Sequence, residues 1–399
     1  MDLFNPYLEW IDKERESTLE TLKTWSDIHS GSHHYSGLET MLQILKEAYL
    51  PLKGIQKEID LPSRTRLKND GTFIKEPLGR ALSISLRPEA PIKILLTGHM
   101  DIAYPADLPL EKCIQTSRDI LTGRGTADMK AGLLVMLLAL KALEMSPFSQ
   151  KIGWQMIINP DEEIGSPGSR DILREAAKHH HIGLIFEPAL PDGSLVSARK
   201  GSANYTLFVQ GKAAHAGREF QTGRNAITSA ARFAIAAESL TDLKKGLTVN
   251  VGYLNGGGPL NIVPDRAMCG INIRAESLED FKKIKEQINQ IMNLENQREG
   301  ITLILHQDAE RPPKIFDEKT RSLFESLKTC SNALKMEINW KNSGGACDGN
   351  ILSEAGLPTI DTLGAVGGNL HTSKEYVNVT SILMRAKLAA RFMMQLSKG

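Results

Sequence analysis

Three consecutive carboxylates, Asp161, Glu162 and Glu163, follow an apolar run that begins at Trp154. Adjacent acidic side chains repel one another, and a bound cation is the simplest agent that tolerates such a cluster. Neighbouring side chains on an extended segment point to opposite sides, so we expect the two glutamates to do different work. One would bind a metal ion and the other would transfer protons. The alternative is an acidic, solvated turn after a strand.

Other apolar runs also end in residues that can bind metal. Residues 92–97 lead into His99 and Asp101, and residues 182–186 lead into Glu187. At the end of a strand, Asp101 can orient the His99 imidazole while the second ring nitrogen binds a metal ion. The carboxyl ends of strands in an open parallel sheet converge on the binding crevice. We therefore expect these side chains to meet the acidic residues at one edge of a sheet.

Two glycine-rich loops supply the remaining candidates. Asp128 lies within residues 121–132, ahead of an apolar helix predicted over residues 133–143, and His371 ends the loop of residues 364–371. Glycines permit a tight turn, and a carboxylate is favoured just before a helix. A loop of this kind can instead bind phosphate, but the phosphate-binding glycine spacings are absent and Asp128 would repel the ligand.

Five candidate metal ligands result from these motifs: His99, Asp128, Glu163, Glu187 and His371. Their nitrogen and oxygen donors suit zinc or another divalent first-row ion. If one carboxylate bridges two ions, five residues suffice for a pair of open sites about 3.5–4 Å apart. Such a pair polarises a carbonyl group and activates water together.

Apolar periodicity indicates an α/β chain, and we expect a mixed, largely parallel sheet flanked by helices. The first part is predicted to contain two helices between residues 13 and 50, strands at 54–61, 80–86 and 92–97, and a helix at 169–179. The last part is predicted to contain a helix at 318–334, a strand at 359–363 and a helix at 381–396. We predict that residues 1–198 and 313–399 together form one catalytic domain.

Residues 199–312 show a different order of elements and are predicted to form an inserted domain. Its elements are strand 204–210, helix 225–240, strands 247–254 and 266–275, helix 278–294 and strand 301–306. This order, βαββαβ, is typical of ferredoxin-like domains. His215, Asn261 and Arg274 lie in the segment, and each taken singly is more often a turn or surface residue than a functional one.

Composition argues against several classes of protein. The 399 residues carry a net charge of +1, with 41% hydrophobic and 24% charged residues, so no basic surface for nucleic acid or membrane lipid is expected. The N-terminus lacks a signal-peptide pattern, which favours a cytoplasmic location.

The four cysteines form no CxxC pair, which argues against a disulfide framework and a thiolate zinc site. We interpret Cys347 as a packing residue rather than a nucleophile, and histidines 179–181 as an exposed helix end rather than a metal site.

The motifs jointly resemble those of the M20 metallopeptidases, and most closely the glutamate carboxypeptidase (carboxypeptidase G2) branch. The resemblance runs in order from about residue 90 to the end of the chain. It is carried by residues 98–101, 123–132, 161–169, 186–188, 211–216, 261–264 and 371–375. Cys347 is a departure, since relatives often carry a small polar residue there.

The resemblance implies a di-zinc enzyme that cleaves an amide bond and releases a C-terminal amino acid. The two zinc ions of each subunit, bridged by Asp128, would be bound by His99, Asp128, Glu163, Glu187 and His371. Glu162 would be the general base, and Asp101 would orient His99. The substrate would be contacted by His215, Asn261, Arg274 and the backbone N–H of Gly367. The inserted domain would serve as a lid and form a homodimer, in which His215 can reach the site of the partner.

Two other functions are compatible with the same motifs. An N-acyl-amino-acid deacylase or a dipeptidase of the same family is the nearest alternative, and hydrolysis of acyl-glutamates, acetyl-amino acids and dipeptides would separate these activities. A non-catalytic metal-binding relative is a different class of protein. Loss of the base would mark such a relative, whereas Glu162 is present here. An oxidoreductase of the dinucleotide-binding type is disfavoured because its glycine fingerprint is missing.

Overall fold

The computed structural model describes residues 2–398 of the chain. Its α-helices are α1 (Asn5–Lys13), α2 (Arg15–Ser26), α3 (Tyr35–Tyr49), α4 (Gly132–Glu144), α5 (Arg170–Ala177), α6 (Ala226–Glu238), α7 (Leu278–Asn296), α8 (Glu318–Ala333), α9 (Asp348–Glu354) and α10 (Val379–Leu396). Its strands up to the insertion are β1 (Ile55–Ile59), β2 (Arg64–Leu67), β3 (Phe73–Glu76), β4 (Ala81–Leu86), β5 (Ile92–His99), β6 (Ile114–Gln115), β7 (Ile120–Thr122), β8 (Ile152–Asn159), β9 (Ile182–Ile185) and β10 (Leu195–Arg199). The later strands are β11 (Gly201–Gln210), β12 (Ala214–His215), β13 (Thr248–Gly256), β14 (Ile262–Val263), β15 (Arg266–Ala275), β16 (Thr302–Arg311), β17 (Trp340–Ser343), β18 (Thr359–Ile360), β19 (Gly367–Gly368) and β20 (Tyr376–Asn378). Among these residues, no helix is both long and apolar enough to cross a lipid bilayer.

A six-stranded mixed sheet, in the order β1-β4-β8-β5-β9-β18, forms the centre of the larger region. Strand β5 pairs in parallel with both β8 and β9, and β9 pairs in parallel with β18, whereas β4 is antiparallel to β1 and β8. Alternate residues of β5 face opposite sides of the sheet. Ile94 and Leu96 pack in the core that contains α4 and α10, and Leu95 packs in the core that contains α5 and α9. The predicted mixed, largely parallel sheet flanked by helices is confirmed.

The inserted domain is built on a four-stranded antiparallel sheet in the order β13-β15-β11-β16. Helices α6 and α7 cover one face of this sheet and share a hydrophobic core with it that includes Phe233, Phe281 and Ile284. Side chains cap both helices: Asn225 accepts the N–H of Thr228 at 3.0 Å, and Ser277 caps α7 in the same way. The chain order β11-α6-β13-β15-α7-β16 confirms the ferredoxin-like arrangement. The domain boundaries at residues 198/199 and 312/313 stay predictions.

A hairpin of β2 and β3, absent from the sequence-based prediction, reaches from the larger region to the uncovered face of the inserted sheet. Leu67 of β2 is buried with Phe208 and Met268 of that sheet. The His306 Nε2 donates to the Thr65 backbone carbonyl at 2.9 Å. The hairpin therefore joins the two regions on the face opposite α6 and α7.

Candidate metal centre and active site

Neighbouring parallel strands bring candidate ligands to one edge of the central sheet. His99 is the last residue of β5 and lies opposite Asn159, the last residue of β8. Strand β9 ends at Ile185, two residues before Glu187. Because these strands run in the same direction, the segments that follow them leave the sheet at the same edge. His99, Glu187 and residues 161–163 therefore lie close together.

Asp128 lies between two histidines from distant parts of the chain. Its Oδ1 is 3.2 Å from His99 Nε2, and its Oδ2 is 3.3 Å from His371 Nε2. Glu163 Oε2 is 3.3 Å from the same His371 nitrogen, and Glu187 Oε2 is 3.9 Å from His99 Nε2. Each oxygen of Asp128 thus faces a different set of donor atoms. This is the arrangement that a carboxylate bridging two metal ions requires.

The backbone conformation of Glu162 and Glu163 differs from the sequence-based expectation. They lie on a short helical turn, Glu162–Ile164, rather than on an extended segment, and successive side chains on such a turn do not point to opposite sides. Oxygens of Glu162 lie within 4.8 Å of donor atoms of His99 and Glu187, and those of Glu163 within 4.8 Å of donor atoms of His99 and Asp128. The prediction of opposite directions is wrong, because both carboxylates reach the cluster.

Asp101 fixes the turn that carries these two glutamates. Its carboxylate accepts the backbone N–H groups of Glu162 at 3.2 Å and Glu163 at 3.1 Å, and the hydroxyl of Ser32 at 2.7 Å. His99 Nδ1 lies 3.0 Å from the Asp101 backbone carbonyl and 3.3 Å from its carboxylate. Since the carbonyl can only accept, Nδ1 carries a proton, and Nε2 is the ring nitrogen that can bind a metal ion once it is deprotonated. Asp101 thus positions the acidic turn with its side chain and His99 chiefly with its backbone.

The three glutamates of the cluster are costly to keep charged, whereas hydrogen bonds with His371 and His99 lower the pKa of Asp128. Burial raises the pKa of Glu162, Glu163 and Glu187, and the charge of Asp128 raises that of Glu163 further. Burial disfavours a charge on His99, which is 1% exposed, but hydrogen bonds with the surrounding carboxylates raise its pKa. A divalent ion among these groups would stabilise the carboxylates as anions. The mixture of imidazole and carboxylate donors fits zinc.

Glu375 is a site residue that the motif analysis did not assign. Its carboxylate, on a side chain only 2% exposed, accepts the N–H groups of Gly125 at 3.0 Å, Ala127 at 2.9 Å and Asp128 at 3.0 Å. The backbone of Asp128 is therefore held by a side chain four residues after His371. No local pattern reveals this contact, because the partners are 247 to 250 residues apart.

Arg311, the last residue of β16, was also not assigned. Its guanidinium donates to the Glu162 backbone carbonyl at 2.9 Å and lies 2.8 Å from the Glu162 carboxylate. It also reaches Ser166 at 2.7 Å and Asp348 at 3.1 Å. A residue at the end of the inserted sheet thus fixes the position of Glu162.

A cavity of about 430 Å³ opens at the cluster, between the central sheet and the inserted domain. One side of it is formed by residues of the cluster, and the other side includes Ser202, Asn204 and Arg274 of the inserted sheet. The Arg274 Nε donates to Asn272 Oδ1 at 3.0 Å, and a terminal nitrogen lies 3.5 Å from the Gly344 carbonyl oxygen. Within residues 2–398, no carboxylate forms an ion pair with Arg274.

The three other residues predicted to contact substrate are His215, Asn261 and Gly367. Within residues 2–398, none of them lines this cavity. His215 and Asn261 are exposed, His215 in β12 and Asn261 just before β14, which pairs with β12. The His215 Nδ1 accepts the N–H groups of Gly217 at 3.1 Å and Arg218 at 3.2 Å, so the neutral ring carries its proton on Nε2. Gly367 is buried in β19 opposite Val377.

Cys347 and the histidine cluster have the surroundings expected for structural residues. Cys347 is 3% exposed, and its sulfur accepts the N–H of Gly349 at 3.3 Å at the start of α9. Burial raises the pKa of this thiol well above its usual range, which disfavours a thiolate nucleophile. His179 and His181 are exposed just beyond the end of α5.

The central sheet, the inserted domain and the carboxylate–histidine cluster between them define a hydrolytic metallopeptidase. The family model described as "Peptidase family M20/M25/M40" matches residues 95–395. The chain belongs to this family, which confirms the resemblance found in the motifs.

Three relatives match nearly the whole chain. Carboxypeptidase G2 from Pseudomonas sp. (strain RS-16) is 28% identical over 392 residues, which cover 97% of this chain and 91% of that protein. The M20 family metallo-carboxypeptidase Sso-CP2 from Sulfolobus solfataricus has a TM-score of 0.73 at 18% identity, covering 96% of this chain and 99% of that one. Human carnosine dipeptidase 1 has a TM-score of 0.71 at 14% identity, covering 100% of both chains. These two structural likenesses show the fold alone.

Proposed function

We propose that this protein is a di-zinc hydrolase that cleaves the amide bond before a C-terminal amino acid, as in a carboxypeptidase or an N-acyl-amino-acid hydrolase. The observation that carries the proposal is the position of Asp128, whose two oxygens face the Nε2 atoms of His99 and His371 at 3.2 and 3.3 Å. His99, Asp128 and Glu187 would hold one ion, and Asp128, Glu163 and His371 the other. Bound zinc would supply Lewis acidity that polarises the substrate carbonyl and acidifies water. A cytoplasmic location remains part of the proposal.

Glu162 has the position of a general base. It is 7% exposed, lines the cavity and lies beside His99 and Glu187 without being needed in either ligand set. In the proposed reaction its carboxylate accepts a proton from the attacking water and delivers that proton to the leaving nitrogen. Arg311 and the Asp101 carboxylate hold the side chain and the backbone of Glu162 during both transfers.

Arg274 is the proposed partner of the substrate carboxylate. Its guanidinium lines the cavity and hydrogen-bonds only neutral groups, Asn272 and the Gly344 carbonyl, so it has donors for a two-point contact with a carboxylate. This contact would orient the substrate with its scissile amide toward the cluster. The proposed reaction therefore releases a free amino acid whose carboxylate was bound at Arg274.

We also propose that the active enzyme is a homodimer formed through the inserted domain. Strand β13 is an edge of the inserted sheet, and Tyr253, Leu254, Leu260 and Ile262 expose between 40% and 101% of their surface near it. His215 and Asn261 lie on this part of the domain, away from the cavity of their own chain. In a dimer His215 would donate its Nε2 proton to the oxyanion in the site of the partner subunit.

Hydrolysis and zinc content of the Glu162→Gln variant test the catalytic part of the proposal. The zinc-loaded wild type should release amino acid from a panel of N-acetyl-amino acids, acyl-glutamates and dipeptides, which also separates the deacylase and dipeptidase alternatives. Glu162→Gln should retain zinc and lose about 10³-fold or more in kcat. Glu310→Gln is a matched control, because Glu310 lines the same cavity but pairs with Lys285. Near-normal turnover of Glu162→Gln would contradict the proposed role.

Subunit complementation tests the role of His215. His215→Ala and Glu162→Ala should each be inactive alone. If His215 acts on the site of the partner, a mixed dimer regenerates one intact site, and random mixing should restore about a quarter of the wild-type activity. Light scattering on the same samples should show dimers. If verified mixed dimers recover no activity, His215 either acts within its own subunit or has no role in catalysis.

A further inference from the structure

The charges and apolar side chains around the cavity indicate which amino acid the site accepts. We propose that the cavity binds a single substrate carboxylate together with an uncharged side chain, so that substrates ending in glutamine, methionine or leucine are hydrolysed in preference to those ending in glutamate. This inference rests on the proposed hydrolase function and makes it more specific.

Arg199 lines the cavity, but its charge is already compensated. Its Nε donates to Asp361 Oδ2 at 2.7 Å and a terminal nitrogen donates to Asp361 Oδ1 at 3.0 Å. The other terminal nitrogen donates to the Gly345 carbonyl at 3.2 Å. Asp361 is completely buried, so withdrawing Arg199 toward a substrate would leave that carboxylate without a partner. Arg199 therefore has a structural role in the cavity wall and is not free to bind a substrate carboxylate.

Arg311 is compensated in the same way, by Glu162 at 2.8 Å and Asp348 at 3.1 Å. Two nearby lysines lie outside the cavity. The Lys314 Nζ donates to the Ser197 carbonyl at 2.6 Å and the Lys200 Nζ to the Gly246 carbonyl at 2.7 Å, and both line a separate pocket. Within residues 2–398, Arg274 is therefore the lining cation that has no anionic partner, and one such cation matches one carboxylate.

Part of the cavity wall is apolar. It includes Pro188, Leu190 and Val196, which follow Glu187 in the chain, and Leu370, which precedes His371. A second substrate carboxylate placed here would lose hydration without gaining a cationic side chain. An amide or aliphatic side chain avoids this cost.

Glutamine and glutamate provide a sharp comparison, because they share a shape and differ in charge. For the zinc-loaded wild type, kcat/KM for N-acetylglutamine should exceed that for N-acetylglutamate by about tenfold or more, and N-acetylmethionine should be at least as good as N-acetylglutamine. Free glutamine should also bind more tightly than free glutamate when product binding is measured by calorimetry. Equal or better hydrolysis of N-acetylglutamate would overturn the inference while leaving the proposed hydrolase function intact. No hydrolysis of any substrate in the panel would overturn the proposed function and this inference with it.

A substitution at Leu190 tests whether the wall itself sets the preference. Leu190 is half-buried, so a longer polar side chain can be accommodated there more easily than at Val196, which is 1% exposed. Leu190→Lys should move the ratio of kcat/KM values toward glutamate by about tenfold, because it adds the missing cation. Leu190→Gln adds polarity without charge and should leave the ratio unchanged. If both variants shift the ratio equally, or neither does, this wall does not select the side chain.

Discussion

Replacing Glu375 by glutamine should weaken metal binding although Glu375 is not a proposed ligand. The Glu375 carboxylate accepts three N–H groups of the loop that carries Asp128, at 2.9 to 3.0 Å. A glutamine can keep its carbonyl oxygen on Ala127 and Asp128, but its NH2 group then faces the N–H of Gly125. The variant loses one hydrogen bond to a charged acceptor and weakens two others. The free energy lost in this way exceeds the free energy gained by removing a negative charge near Asp128. The net loss is about 2 kcal/mol for the conformation that presents Asp128.

A loss of about 2 kcal/mol corresponds to zinc binding weakened by about 30-fold, because the competent loop conformation is then populated less often. Competition with a chromophoric chelator measures this affinity directly. Activity at limiting zinc should fall by a similar factor and recover in part when zinc is in excess. Circular dichroism should show the wild-type fold.

Glu295→Gln is the matched control for this measurement. Glu295 is a buried carboxylate of the inserted domain, 7% exposed, that accepts from Ser229 at 2.9 Å, Arg232 at 3.0 Å and Arg298 at 2.9 Å. This control should lower thermal stability without changing zinc affinity. If Glu375→Gln lowers the melting temperature as Glu295→Gln does but leaves zinc affinity unchanged, the reasoning about the Asp128 loop is refuted.

Asp101→Asn should lower kcat by about 10- to 100-fold while retaining zinc, because its amide NH2 would face one of the two backbone N–H groups, of Glu162 and Glu163, that now fix the turn. Steady-state kinetics and metal analysis check this. Cys347→Ser should keep kcat within about threefold, since a serine hydroxyl can also cap α9; a loss of 10³ or more would identify a nucleophile. Burial lowers the pKa of Lys314. At alkaline pH, up to about pH 10.4, the native state therefore binds fewer protons than the unfolded chain. In that range the Lys314 contribution to the free energy of unfolding rises with pH. Lys314→Met should remove that contribution; identical pH slopes for the two proteins in urea titrations would exclude it.

Strongly apolar elements were predictable because burial imposes a clear pattern on them. Strand β15 has the predicted bounds, and α4 and α10 differ from the predictions by only one or two residues at an end. The amphipathic helix α1, which buries Leu8 and Ile11, was missed near the N-terminus. The hairpin β2–β3 was missed because half of its strand residues are charged, and its burial comes from one distant contact at Leu67.

The candidate site was predictable where its residues lie in short, recognisable sequence motifs. Residue types at strand ends and in glycine-rich loops predicted the candidate ligands, and the structure brings these side chains together. The positions of Glu375 and Arg311 depend on contacts across 247 and 149 residues, so no spacing in the sequence indicates them. The directions of Glu162 and Glu163 were mistaken because the Asp101 carboxylate bends their backbone into a turn.

The hairpin β2–β3 adds a hydrophobic contact at the junction between the larger region and the inserted domain. Moving the two regions apart would expose Leu67, Phe208 and Met268 to water, at about 25 cal/mol for each Å² of apolar surface uncovered. If product release requires the two regions to separate, the size of one side chain at this contact would change the turnover without any change in the candidate metal ligands.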